Sequence, residues 1–117
     1  MKSRRADRLL VDDVIESLRR ISEYVESMRK ETFLTDQKTI DAVVRNLEIV
    51  GEAAARLSHE AKQYGPTIEW SHITGLRNRI VHEYFGVDTE IVWEIVRHDL
   101  PLLGESLRRL LDDLPPI

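Results

Sequence analysis

The segment Leu76-Arg77-Asn78-Arg79-Ile80-Val81-His82-Glu83-Tyr84 carries the residue types in this chain best suited to chemistry. An imidazole that titrates near neutral pH can take the proton of a ribose 2′-hydroxyl, and a second one can protonate the leaving oxygen. A guanidinium offers a two-pronged donor to a phosphate and to the charge that develops on it during cleavage. One helix delivers one histidine. An acid-base pair of histidines therefore calls for a two-fold dimer that brings two copies of His82 to one groove. These residue types suit RNA cleavage without a metal, with His82 as the acid-base group and an arginine fork, from Arg77 or Arg79, stabilising the charge that develops on phosphorus.

Helical geometry ranks the neighbours of His82. At about 100° per residue, His82 lies about 200° round from Ile80 and so points away from the apolar stripe. Asn78, one turn earlier on the same face, can hydrogen-bond the ring and fix its direction. Arg79, three residues before His82, is the easier arginine neighbour. Arg77 lies about 140° away, so its side chain must reach round or the helix must distort. Tyr84 falls on the core stripe with Ile80 and is expected to pack, with its hydroxyl at the rim. Spacing alone does not separate this reading from a plain charged surface. His59, His72 and His98 lack metal-ligand spacing and read as surface or boundary residues. The adjacent acidic pairs Asp12-Asp13 and Asp112-Asp113 read as solvated charge, and Trp70 and Trp93 as core or interface anchors.

Four helices are predicted to position these residues. Val11, Val14, Leu18, Ile21, Val25 and Met28 alternate spacings of three and four, which predicts a helix over about 6 to 31. Thr35 or Asp36 caps a second, with the stripe Ile40, Val43, Leu47, Val50, Ala54, Leu57 and Ala61, closed by Gly65-Pro66. A third starts near Trp70 or Ser71, carries Ile73, Leu76, Ile80 and Tyr84, and stops at a left-handed Gly86. Asp88 caps the last, whose stripe Val92, Val96, Leu100, Leu103, Leu107, Leu110 and Leu114 runs through Pro101 and predicts a kink there. No stretch alternates with period two, so strands are not expected. The predicted fold is all-α, a single domain over 1–117 built as an antiparallel four-helix bundle. Gly51, Ala55 and Ser58 share one side face, and Gly75, Asn78 and His82 another. Such faces suit either close packing within the bundle or a subunit interface.

Composition narrows the function. The chain has 117 residues, 42% of them apolar and 32% charged, with no cysteine. That mixture folds, and it removes disulfides, thiolate metal sites and thiol nucleophiles. No apolar run approaches the roughly 20 residues that span a bilayer, and the basic start at Lys2, Arg4, Arg5 and Arg8 leads into acidic residues rather than a signal sequence. A cytoplasmic protein is expected. The net charge of −4 runs against a broad nucleic-acid surface. Any RNA site must be local, built from the basic N-terminal arm or from Arg77 and Arg79.

Arg77 through Tyr84 resembles the R-x4-H-x-Y motif of the HepT toxins within the HEPN superfamily. Gly51-Glu52-Ala53-Ala54, Trp70 ahead of Ile73-Thr74-Gly75-Leu76-Arg77-Asn78, and Val92-Trp93 through Asp99-Leu100-Pro101 resemble that family too. The likeness spans nearly the whole chain. It implies a helical-bundle homodimer with metal-independent endoribonuclease activity and no cofactor, Arg77 and His82 facing their copies across the dimer. Asn78 matches the polar residue beside the motif arginine. The implied partner is a minimal nucleotidyltransferase (MNT) antitoxin, in a type VII-like toxin-antitoxin pair, which transfers AMP from its own substrate ATP to the motif tyrosine, here Tyr84. Modification needs an exposed hydroxyl. Either the helix ends before Tyr84 and turns it outward, or that mechanism does not carry over. Two readings of another class stand beside the nuclease: a non-catalytic module that docks on a nucleotidyltransferase and positions its substrate, and a purely structural dimer.

Overall fold

In the computed structural model, residues 3–82, 84 and 86–116 are described. Helix α1 (Arg4–Val25) starts at Ser3, whose Oγ accepts from the Ala6 amide. Its stripe from Val11 to Val25 is buried as its periodicity requires, but the helix ends six residues before the expected limit. The early turn lets the short α2 (Lys30–Leu34) deliver Phe33 into the core. There Phe33 meets Trp93, ring centroids 5.1 Å apart. Asp36 caps α3 (Gln37–Arg56), its Oδ1 accepting from Thr39.

The second stripe is buried throughout, yet two helices carry it. Leu57 is extended, and Ser58 starts α4 (His59–Gln63) by accepting from the Ala61 amide. Asp7 is what fixes the break. Its carboxylate, buried on α1, accepts from both the amide and the hydroxyl of Ser58. A buried carboxylate needs such donors, and Ser58 can offer its own amide only where the helix is interrupted.

The third pass departs furthest from expectation. It divides at Gly75 into α5 (Trp70–Thr74) and α6 (Leu76–Ile80), and then ends. Ile80 is fully buried while Val81 is extended, and two β-branched residues in succession favour that exit. Strand β1 (Val81–His82) pairs antiparallel with β2 (Gly86–Val87), Val81 opposite Val87 and His82 opposite Gly86. This hairpin corrects the expectation of no strands. Gly86 is left-handed, φ 73°, but as part of the hairpin rather than as a helix stop. Ile80 keeps its place in the core, and Tyr84, expected beside it, is 87% exposed.

Asp88 caps α7 (Thr89–Glu94), which runs into a π-helical turn (Ile95–Asp99) and α8 (Leu100–Asp113). In that turn the Leu100 amide reaches back to the Ile95 carbonyl, and Pro101 falls in the first turn of α8, where a missing amide costs no helical bond. The wider turn thus carries the apolar stripe past proline.

The passes alternate in direction. The start of α1 lies beside the end of α3 through Asp7 and Ser58, and beside the end of α8, where Arg8 donates to the carbonyls of Leu111 and Leu114. Trp70 Nε1 donates to the Lys62 carbonyl, so α5 starts at this same end. At the opposite end Lys30 of α2 lies 3.8 Å from Glu90 of α7. The all-α class follows, with the second, third and fourth passes composite. Among the described residues no helix is long and apolar enough to cross a membrane.

Candidate active site

His82 projects from β1 beside the hairpin turn, about half exposed. Its Nε2 lies 3.2 Å from Oδ2 of Asp88. The other oxygen of Asp88, Oδ1, accepts from the Ile91 amide at 3.1 Å. One carboxylate thus caps α7 and holds the imidazole. Donation from the Ile91 amide, and next the hydrogen bond with His82, stabilise its charged form and lower its pKa from the ordinary carboxylate value. The Asp88 amide donates to the Ile80 carbonyl at 2.7 Å, which fastens the hairpin between α6 and α7.

The sequence offered Asn78 as the partner of the ring. Asp88 takes that place, because the chain leaves the helix before His82 and a one-turn helical spacing no longer applies. Asn78 stays exposed on α6. Arg79, the other expected neighbour, turns to Asp99 of the π-helical turn, Nη2 to Oδ2 3.2 Å. Arg77 is exposed on α6, with no ion-pair partner among the described residues. Tyr84, on the hairpin turn, presents its ring to solvent. Of the two alternatives for this residue, the helix ending first is the one observed.

The basic N-terminal arm and the motif lie at opposite ends of the bundle. Arg8 is engaged with the end of α8, and Lys2 lies outside the described residues. Within one chain the two basic features do not meet. The remaining histidines keep local company: His59 with Gln63, His72 with Glu69, His98 with Glu94, all exposed. Among the described residues no three His, Asp or Glu side chains converge as a metal site. Trp93 is core and Trp70 half-buried; Asp12, Asp13, Asp112 and Asp113 are exposed. A groove of about 490 Å³ between α1 and α8, with Leu18, Ile21, Leu100 and Arg108 on its walls, contains none of the motif residues. The motif is an open surface.

Asp88 was legible in the sequence as a cap, and nothing in a linear spacing of six from His82 marked it as a ring partner. Asp7 was not singled out at all. Its place on the buried face of α1 was the available signal, since a carboxylate among stripe positions demands donors.

The family model described as ribonuclease HepT-like matches residues 14–110. The chain belongs to this family. The HepT-like chain is 35% identical over 107 residues to the Probable ribonuclease HepT of Thermococcus cleftensis, which covers 92% of this chain and 97% of that one. It is 32% identical over 107 residues to a Methanocaldococcus jannaschii protein that carries an RNase name, covering 92% and 88%. It is also 32% identical over 101 residues to a protein of Caldanaerobacter subterraneus subsp. tengcongensis that carries an RNase name, covering 86% and 90%. No solved structure gives a significant match. In this HepT-like chain Arg77 and His82 share one end of the bundle with the exposed Tyr84.

Proposed function

We propose that this HepT-like protein is an endoribonuclease toxin that cleaves RNA without a metal, at a site completed by a second copy of the chain. In the proposed step one His82 takes the proton of a ribose 2′-hydroxyl as that oxygen attacks phosphorus. The bond from phosphorus to the 5′-oxygen breaks, and the partner copy's His82 protonates the leaving oxygen. The products are a 2′,3′-cyclic phosphate and a 5′-hydroxyl. Arg77 stabilises the charge on the phosphoryl oxygens, with Asn78 and Arg79 in supporting positions. The observation that carries this reading is the accessible imidazole of His82, held by the Asp88 carboxylate, in a chain of the HepT-like family. Relatives named as ribonucleases support the substrate class.

The exposed hydroxyl of Tyr84 supports the regulatory half of the proposal. A minimal nucleotidyltransferase antitoxin silences the toxin by transferring AMP from ATP to this oxygen, in the cytoplasm, and ATP belongs to that partner. The net charge of −4 favours a second reading, a non-catalytic module that docks on the nucleotidyltransferase and positions its substrate.

Unmodified protein, shown by mass to lack AMP, is incubated with labelled RNA in excess EDTA beside His82→Ala and Arg77→Ala. Cleavage to 2′,3′-cyclic phosphate ends, lost in both folded variants, is expected. Cleavage by either variant at the wild-type rate rejects the assigned residues. An inert wild-type protein that still binds the nucleotidyltransferase tightly selects the docking module.

A further inference from the structure

His82 is held by a partner that its own helix does not supply, and the chemistry of that partner decides which ring nitrogen is left for the reaction. An ionised carboxylate only accepts hydrogen bonds. The Asp88 oxygen 3.2 Å from Nε2 therefore requires that Nε2 carry the proton. A neutral imidazole has one protonated nitrogen, so Nδ1 keeps the lone pair. The carboxylate is itself anchored, because its second oxygen accepts from the Ile91 amide at the start of α7. Its backbone amide is tied to Ile80, at the end of α6. Asp88 thus links the ring to two core-anchored elements, Ile80 and Val92 both being fully buried.

We infer that Asp88 is the positioning residue of the site, fixing His82 as the Nε2-protonated tautomer and leaving Nδ1 to exchange the proton with RNA. The inference rests on the reading of His82 as the acid-base group. Asp88 touches no substrate in this scheme. It sets the direction of the ring and stabilises the imidazolium that forms when Nδ1 takes a proton.

Two substitutions separate this role from helix capping, since asparagine and serine both cap well. In Asp88→Asn the amide oxygen satisfies Ile91, and the amide nitrogen then presents hydrogens to Nε2. That arrangement favours the opposite tautomer, protonated on Nδ1. In Asp88→Ser the cap is kept and the side chain is too short to reach the ring.

The test is nitrogen NMR of the full-length histidine-labelled protein under alkaline conditions in which imidazole is neutral, with the signal assigned by its loss in His82→Ala. Wild type is expected to show the Nε2-protonated form, Asp88→Asn a shift toward the Nδ1-protonated form, and Asp88→Ser the mixture of a free imidazole. In the cleavage assay Asp88→Asn is expected to lower kcat by roughly 10²-fold or more, with little change in KM for RNA and a cooperative melt like the wild type. A wild-type ring protonated on Nδ1, or a tautomer balance unmoved by both substitutions, overturns the inference. Wild-type kcat in both Asp88 variants, with His82→Ala inactive, overturns it while leaving the nuclease reading intact. If instead His82→Ala cleaves normally, the nuclease assignment falls and the role in proton exchange falls with it; the NMR result then still decides whether Asp88 sets the tautomer.

Discussion

Arg79 and Asp99 join α6 to the π-helical turn, Nη2 to Oδ2 at 3.2 Å, and so the arginine closest to His82 in helical geometry is directed elsewhere. Both side chains are more than two-fifths exposed. Such pairs contribute at most about 1 kcal/mol. Arg79→Ala and Asp99→Ala are expected to lower unfolding free energy by less than about 1 kcal/mol each, with a coupling no larger in the double mutant. Urea unfolding of the four proteins measures this. RNA cleavage should fall much less in Arg79→Ala than in Arg77→Ala, and an equal loss would give Arg79 a direct part in the reaction.

Gly51 lies where α3 meets α5. A side-chain carbon placed there would stand 3.3 Å from the Ile73 carbonyl oxygen and 3.7 Å from that of Thr74. This accounts for a glycine within a helix by packing inside one chain. Overpacking such a contact costs about 1–3 kcal/mol. Gly51→Leu is expected to lower the melting temperature markedly and Gly51→Ala less so, read by thermal circular dichroism. A Gly51→Leu protein that melts like wild type and merely becomes monomeric would return Gly51 to a subunit interface.

The pH dependence of stability has a definite sign at Asp88. Its folded pKa is lowered from 3.8, chiefly by the Ile91 amide and then by His82. A carboxylate with a depressed folded value binds fewer protons folded than unfolded, so its stabilisation is full above the unfolded value and is lost as pH falls through the folded one. The gap in melting temperature between wild type and Asp88→Ser is expected to close as pH falls below about 4. A gap that stays open well below the unfolded carboxylate value would contradict the assignment.

Tyr84 is 87% exposed and joins no core cluster. Tyr84→Phe is therefore expected to leave stability within about 0.5 kcal/mol of wild type. Under the proposed regulation it also keeps RNA cleavage, yet stays active after incubation with the nucleotidyltransferase and ATP, while wild type gains the mass of AMP and falls silent. Loss of cleavage in Tyr84→Phe without any partner would instead place the hydroxyl in the reaction.

The burial of the four apolar stripes, Tyr84 apart, was legible in the sequence, because periodicity reports which side chains leave water as long as the chain returns to the same face after a break. Ile40 through Ala61 are buried in register even though Leu57 is extended. The caps at Asp36 and Asp88 were legible for a similar reason, since a cap is a contact over three residues. The spacing of Arg77, His82 and Tyr84 that suggested a candidate site was likewise readable without a fold.

Tertiary structure decided the rest. Asp7 and Ser58, 51 positions apart, split a helix that local propensity would have continued. The end of α6 at Ile80 reversed Tyr84 from core to solvent and gave His82 the carboxylate of Asp88 in place of Asn78. Each of these turns on where a buried carboxylate or a backbone amide finds its partner across the fold. Periodicity measures only how apolar side chains repeat along one element, so it carries no record of such pairings.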